Sequence, residues 1–263
     1  MDSPMDSPDT LPGSFHQLRP VSIISVSFDT YFFTRLLVEK VREFVGLREY
    51  EIIVVDRGST DGSREWLSEQ PDVHLLTDRQ WRRSRHTHGE AAEKGGHAAR
   101  FDYVVLLDSD AHPMEDIWLK ATVDRLDSHY RLAGGEYAGH HKGNPYGSYI
   151  HPSFMVFHKK DLGHLVVLRK MRGHDTDTGE EATIRLRDAG FGILGYPIEH
   201  CARFSVGYPF LPQISAGVFH AGRATRLAKN SESVLRETDG TFTRDGYIEP
   251  LQVLLRQAYH LDY

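Results

Sequence analysis

Cysteine is almost missing from this chain. Cys201 is the single one among 263 residues, which excludes an intramolecular disulfide and fits a reducing compartment. Long apolar runs are also missing, since no stretch approaches the ~18 apolar residues of a membrane-spanning helix. The first residues show neither the charged nor the apolar region of a secretory signal. A cytoplasmic protein without a transmembrane segment is therefore expected. Positive charge is in deficit: 31 Lys and Arg stand against 37 Asp and Glu, a formal net charge of −6. That argues against general nucleic-acid binding, although it is compatible with a local basic pocket. No long-period repeat is present. What remains, 40% hydrophobic and 26% charged residues, is the composition of a globular protein able to bury a substantial core in one large α/β domain or two small ones.

The chain begins with Met-Asp-Ser-Pro twice over, Met1 to Pro4 and Met5 to Pro8, followed by more Asp, Thr, Pro, Gly and Ser. Residues 1–18 bury little apolar surface and are expected to form a disordered leader. Order begins at the β-rich run Val21–Ser27. An amphipathic helix follows from about Phe32 to Phe44, with Leu36, Leu37 and Val41 on one face and Gly46 placed to end it. Tyr50–Asp56 reads as a second buried strand, Gly58–Ser63 as a turn into a helix through Trp66 and Leu67, and Val73–Leu76 as a third strand. Alternation at this spacing is that of βαβ units in a nucleotide-binding type of sheet.

The most informative stretch is Tyr103-Val104-Val105-Leu106-Leu107-Asp108-Ser109-Asp110. A short, continuous apolar run reads as a strand buried on both faces. Its two aspartates then lie at the strand's C-terminal end, where open α/β sheets place ligands. Asp-x-Asp at such an edge offers oxygen ligands to Mg²⁺ or Mn²⁺, with phosphates completing the shell. Just before it, Asp78–His88 is rich in cations and includes Arg85, and the chain turns helical from Gly89. A basic loop beside a helix N-terminus is a candidate diphosphate site. Further on, helices are expected at Ile117–Leu126, Asp161–Leu168, Ala182–Ala189 and Leu251–Tyr259. Strands are expected at Leu132–His141, Ile150–His158 (with an edge or bend at Pro152) and Phe191–Pro197. Asp177 and Glu180 have the spacing of a capping box ahead of the third helix.

Taken together, these motifs resemble the family-2-like glycosyltransferases of the GT-A fold. The first strand, Val21 to Ser27, matches the family's opening Val-Ser-Ile-Ile strand. Val55-Asp56-Arg57-Gly58-Ser59-Thr60-Asp61-Gly62-Ser63 matches its Val-Asp-x-Gly-Ser-x-Asp-Gly-Ser sequence, and Leu107 to Asp110 its Leu-Asp-Ser-Asp. Leu186-Arg187-Asp188-Ala189-Gly190 matches a late Leu-Arg-x-Ala-Gly, and the likeness spans about residues 20 to 225. The chain departs from the pattern in three places. Ser25-Val26-Ser27-Phe28 stands where the family often has Pro-Thr-Tyr-Asn, and Arg57 replaces a commoner Asn or Asp. Counting back from Arg185, Thr178 and Gly179 fall where the family carries a Glu-Asp pair.

The resemblance implies a single α/β domain, a mainly parallel, Rossmann-like central sheet flanked by helices. It would span residues 19–228, with a donor half at about 19–112, an acceptor half at about 113–228, and a C-terminal extension with a helix at 229–263. It also implies a metal-dependent enzyme that moves a sugar from a UDP or GDP sugar to an acceptor hydroxyl. Asp110 and Asp108 would hold Mn²⁺ or Mg²⁺, with His220 as third ligand. Ser25, Val26, Ser27, Asp56, Ser59, Arg85, Asp108 and Ser109 would surround the nucleotide, and Arg223 and Arg226 the diphosphate. An inverting course needs a carboxylate base, with Asp177 first, then Glu180 or Glu181; a retaining course needs none and stays open. Tyr146, His151 and Phe154 are candidates for the acceptor side, and the acceptor itself for a soluble small molecule or glycan. Two other readings stand beside this one. One is a sugar-nucleotide nucleotidyltransferase, although Ser25 to Tyr31 lacks a Gly-rich basic loop. The other is a non-catalytic nucleotide-sugar-binding module, against which the retained Asp108 and Asp110 speak.

Overall fold

A computed structural model describes residues 18–78, 88–139, 144–169, 176–207, 211–222 and 244–263. The expected leader, Arg85 with most of the basic run, Arg223 and Arg226 lie outside these residues. The first half builds the expected alternation: β1 (Val21–Ser27), α1 (Tyr31–Phe44), β2 (Tyr50–Asp56), α2 (Ser63–Ser68), β3 (Val73–Thr77), α3 (His88–Ala98) and β4 (Tyr103–Asp108). The second half adds β5 (Ala111–Pro113), α4 (Ile117–Ala121), β6 (Tyr130–Ala138), β7 (Ser148–His158), α5 (Glu180–Asp188) and β8 (Gly192–Pro197). Three short strands follow, β9 (Glu199–His200), β10 (Gln213–Ser215) and β11 (Val218–His220), and then α6 (Glu249–Tyr259). No described helix is long and apolar enough to cross a membrane.

Seven strands form the central sheet in the order β3-β2-β1-β4-β7-β6-β8. The first four are parallel to one another; β7 runs antiparallel to both β4 and β6, and β8 is parallel to β6. All seven residues of β1 are buried, as expected of a β-branched strand covered on both faces. On one face α1 and α4 contribute Leu37, Val41, Trp118 and Leu119 to a core with Ile23, Val54 and Val105. On the other, α3 and α5 contribute Ala91, Ala92, Ala182 and Leu186 against Ile24, Ile53 and Leu106. Helix α3 lies close because it presents glycine: a Cβ on Gly95 would fall 2.5 Å from the Ile24 side chain. A smaller four-stranded sheet, β5-β11-β10-β9, is antiparallel throughout.

Local readings needed correction at two helices. The expected Ile117–Leu126 helix ends at Ala121 and gives way to a 3-10 turn at Val123–Arg125, with the Thr122 hydroxyl bonded back to the Trp118 carbonyl at 2.6 Å. The expected Asp161–Leu168 helix does not form. A 3-10 turn covers Lys159–Asp161, Gly163 takes a positive φ of 87°, and the buried Asp161 carboxylate is gripped by the Arg131 guanidinium. A carboxylate held this way fixes a turn where apolar spacing alone suggests a helix. Pro152 sits inside β7, an interior strand. Register with β4 runs only to Phe154, and the ladder with β6 shifts between Gly134 and Glu136. The proline therefore occupies an irregularity where a missing N–H is tolerated.

Helix α6 packs onto the domain. Leu251 and Leu255 are fully buried in a third core with Phe32, Phe33 and Leu36 of α1, Phe219 of β11 and Tyr247. Replacing Leu255 by alanine is expected to cost about 2–5 kcal/mol. Urea denaturation read by circular dichroism checks it; an unchanged midpoint would mean that α6 contributes nothing to folding.

Candidate active site

The parallel register brings three strand ends to one edge. Ser27 pairs with Asp56, and Val26 pairs with Asp108, so two carboxylates flank the end of β1 from either side. Asp56 is fully buried and accepts from the backbone N–H of Gly58 at 2.9 Å and of Ser59 at 3.1 Å, which shapes the turn after β2. The Ser59 hydroxyl accepts from Asp29 N at 3.0 Å, and Asp29 Oδ1 accepts from Thr60 N at 2.7 Å. The loops after β1 and β2 are thus clamped together, with Asp29 at a positive φ of 51°.

Ser27, Thr30, Thr34 and Ser109 form a buried hydroxyl network, with Ser27–Thr34, Thr30–Thr34 and Thr30–Ser109 each 3.0 Å apart. Their polar atoms satisfy one another beneath the edge. Ser25 and Val26 are also buried, and the Ser25 Oγ is buried without a hydrogen-bond partner.

Beyond Asp108, residues 109–110 turn the chain into β5, and β5 pairs with β11 so that Ala111 faces His220. The Ala221 N–H also bonds to the Asp110 carbonyl at 2.9 Å. A histidine 110 positions away is thereby carried to the Asp-Ser-Asp edge. His220 Nε2 lies 3.4 Å from Asp110 Oδ1 and 3.7 Å from Asp108 Oδ2. One ligand atom from each of Asp108, Asp110 and His220 falls within 4.8 Å of the others. His220 Nδ1 lies 3.3 Å from the side-chain oxygen of its cross-strand neighbour Gln213. With that oxygen accepting from Nδ1–H, Nε2 is turned toward the carboxylates. Burial opposes charge on His220, but the Asp110 and Asp108 carboxylates outweigh it and raise its pKa. Burial likewise works against the charge on Asp108, yet the imidazoles of His88, His220 and His151 hold its carboxyl well below the usual range. Two carboxylates and one imidazole converging from two strands and a turn are a candidate donor set for a divalent cation.

Two further histidines reach this cluster. His88 Nε2 is 3.3 Å from Asp108 Oδ1; the sequence shows His88 only as the last member of a basic run, and nothing there distinguishes it from its neighbours. The His151 ring lies 5.8 Å from the His220 ring, centroid to centroid, and 6.2 Å from that of Tyr149. Burial, reinforced by His220, lowers the His151 pKa.

The acidic segment before α5 separates into distinct roles. Asp177 is exposed; its Oδ2 accepts from the Tyr149 hydroxyl at 3.3 Å and its Oδ1 from Thr178 N at 2.8 Å. Burial and then Asp177 push the Tyr149 pKa up, keeping it a donor. Glu180 is fully buried, accepts from Asn144 Nδ2 at 2.8 Å, and reaches back to Asp177 N at 3.0 Å. Because the N-cap is Gly179, with no side-chain cap bond, the expected Asp177–Glu180 capping box does not form, and the bond ties the incoming chain to the first helical residue. Glu181 pairs with Arg185 at 2.7 Å. Gly179 explains why no carboxylate stands at its position: φ is 90°, and a Cβ would fall 2.5 Å from the Ile150 carbonyl oxygen. Of the other acceptor-side candidates, Phe154 is buried against Trp118. Tyr146 is exposed, with its hydroxyl donating to Asp188 at 2.5 Å.

A mixed sheet of this order with Asp-x-Asp at the end of its central strand defines a GT-A glycosyltransferase fold. The chain belongs to glycosyl transferase family 2, whose model matches residues 22–176, and this sets the nucleotidyltransferase reading aside. No protein of curated function matches it. Among solved structures it is similar to the mannosyltransferase PcManGT from Pyrobaculum calidifontis, determined with GDP-Man and Mn²⁺. The TM-score is 0.51 at 19% identity, covering 67% of this chain and 54% of that one. The chain thus spans about half the length of that enzyme, and at this identity the likeness shows the fold alone. Glucosyl-3-phosphoglycerate synthase from Mycobacterium tuberculosis, solved with Mn²⁺, UDP-Glc and glycerol 3-phosphate, also matches. There the TM-score is 0.48 at 16% identity, covering 68% of this chain and 70% of that one.

The bonds of Glu180 make it a support of the α5 N-terminus. Glu180→Ala is expected to lose about 1–3 kcal/mol by stranding Asn144 and the Asp177 N–H. The shift of the urea midpoint measures it, and no shift would remove the supporting role.

Proposed function

We propose that the chain transfers a sugar from a UDP or GDP sugar to an acceptor hydroxyl, with inversion at the anomeric carbon. The observation that carries this reading is the convergence of Asp108, Asp110 and His220 beside Asp56 at the C-terminal edge of the parallel strands. The donor set suits Mn²⁺ or Mg²⁺, and the imidazole favours Mn²⁺ because Mg²⁺ takes oxygen ligands almost exclusively. When bound, such an ion neutralises the charge that develops on a departing diphosphate.

The chain's own residues supply positioning and proton transfer. Asp56, fully buried and bonded to the Gly58 and Ser59 N–H groups, shapes the turn that borders the nucleotide base. The hydroxyl network of Ser27, Thr30, Thr34 and Ser109 keeps the floor of the nucleotide pocket fixed. On the acceptor side, His151 and Tyr149 lead from the metal centre to Asp177. The acceptor oxygen attacks the anomeric carbon as the bond from that carbon to the diphosphate breaks, and the hydroxyl proton passes to the Asp177 carboxylate. Tyr149 and the Thr178 N–H hold that carboxylate in place. Exposure leaves Asp177 open to an acceptor, whereas Glu180 is sealed from one and Glu181 is taken by Arg185. The acceptor class is a small molecule or glycan carrying a free hydroxyl.

Calorimetric titration with UDP and GDP, with and without Mn²⁺, tests the donor site. One nucleotide is expected to bind more tightly with Mn²⁺, and Asp110→Ala to lose that enhancement; no binding of either nucleotide under any metal condition would overturn the transferase reading. Once an acceptor is in hand, Asp177→Asn is expected to lower kcat by about 10²–10⁴-fold with nucleotide affinity unchanged. An undiminished kcat, or retained configuration in the product by NMR, would remove Asp177 as the base.

A further inference from the structure

We infer that His88 is a positioning residue of the metal centre: through Nε2–H it holds one oxygen of Asp108, so that the other faces His220 and the ion. This rests on the metal-site reading above. His88 Nε2 lies 3.3 Å from Asp108 Oδ1, while Oδ2 of the same carboxylate is the atom 3.7 Å from His220. Each oxygen thus has a different imidazole as its near neighbour. His88 Nε2 is itself buried, although the side chain is about one-third exposed. Nε2 is buried without a hydrogen-bond partner, so its 3.3 Å approach to Asp108 Oδ1 is a close polar contact, one that shortens into a hydrogen bond when the site closes around its ligand.

The position of His88 is set by packing on its own helix. His88 is the first residue of α3, and the next residue, Gly89, abuts the loop backbone at Leu168 so closely that a Cβ there would fall 1.8 Å from its carbonyl oxygen. One turn on, Glu93 accepts from the backbone N–H of Leu168 at 3.0 Å and of Arg169 at 3.2 Å, and pairs with the Arg169 guanidinium at 2.8 Å. The helix start is therefore pinned at two points to the segment 168–169, and its first side chain is delivered to Asp108. A carboxylate ligand free to rotate must be ordered when the ion binds; a carboxylate already held on its distal oxygen is not subject to that loss. His88 is not a member of the three-ligand cluster, so it acts through Asp108 and not on the ion.

The test is Mn²⁺ affinity of the full chain, read from the free-ion signal in electron paramagnetic resonance with UDP or GDP present. His88→Ala is expected to weaken Mn²⁺ binding by about 10–100-fold, the usual cost of losing a partner behind a metal ligand. His88→Gln, whose amide nitrogen can stand where Nε2 stands, is expected to recover most of that loss. An alanine variant that binds Mn²⁺ like the wild type would overturn the inference and leave the metal centre intact. A glutamine variant as weak as the alanine one, with both folded by circular dichroism, would also overturn it, because direct ligation or bulk would then be the role of His88. Wild-type protein that binds no Mn²⁺ at all would instead remove the metal centre, and His88's role with it.

Discussion

The short antiparallel ladder between β5 and β11 is the constraint on which the site depends. Three residue pairs join strands more than a hundred positions apart, and they set His220 opposite Ala111, one residue beyond Asp110. Without this pairing, Asp108 and Asp110 would be two carboxylates at a turn, with like charges and without the His220 imidazole beside them. With it, an imidazole enters between them, and Gln213 on the next strand orients that imidazole. Closing such a long loop is entropically costly. The ladder is held by what lies behind it: Phe219 is fully buried in one core with Phe204 and α6, so the C-terminal helix supports the Asp-Ser-Asp edge from the rear.

A second level of organisation is the treatment of buried polar groups beneath the donor edge. Ser27, Thr30, Thr34 and Ser109 tie β1, α1 and the residue between the two aspartates into one network, and Asp56 is satisfied by its own turn. Each group would destabilise the fold if stranded; bonded to one another, they fix the floor of the pocket. Glycine acts in the same sense at α3 and at the start of α5. Gly89 and Gly179 lie where backbone from another segment approaches too closely for a side chain; His88 adjoins the first, and Asp177 lies two residues before the second.

The acidic stretch 177–181 shows how one local pattern resolves into three physical roles. Asp177, Glu180 and Glu181 look interchangeable as carboxylates near a helix start. Depth separates them: Glu180 is interior and doubly bonded, Glu181 is ion-paired along the helix, and Asp177 stays at the surface beside Tyr149. The departure from the family pattern at Gly179 has a steric counterpart, because the left-handed backbone and the Ile150 carbonyl leave no room for a side chain there.

The sequence alone determined the parallel core. Continuous β-branched runs at Val21–Ser27, Tyr50–Asp56 and Tyr103–Asp108, each separated by a helix-period pattern, permit little besides buried strands, and the strands appear with nearly those bounds. It also located Asp56, Asp108 and Asp110 at strand ends, since burial of the run forces the following polar residues to the edge. Short-range pattern was less reliable where a buried ion pair intervened, as at Asp161 and Arg131, because apolar spacing carries no information about a partner thirty residues away. Only the tertiary structure showed which histidines, among the described residues, gather at the Asp-Ser-Asp edge. His220, His88 and His151 arrive from three different elements, and their proximity is a property of strand pairing and helix packing. Likewise, only depth in the folded chain distinguished Asp177 from Glu180. Side-chain period and strand propensity act over a few residues and are written in the local sequence; convergence of ligands is a long-range consequence of the assembled sheet.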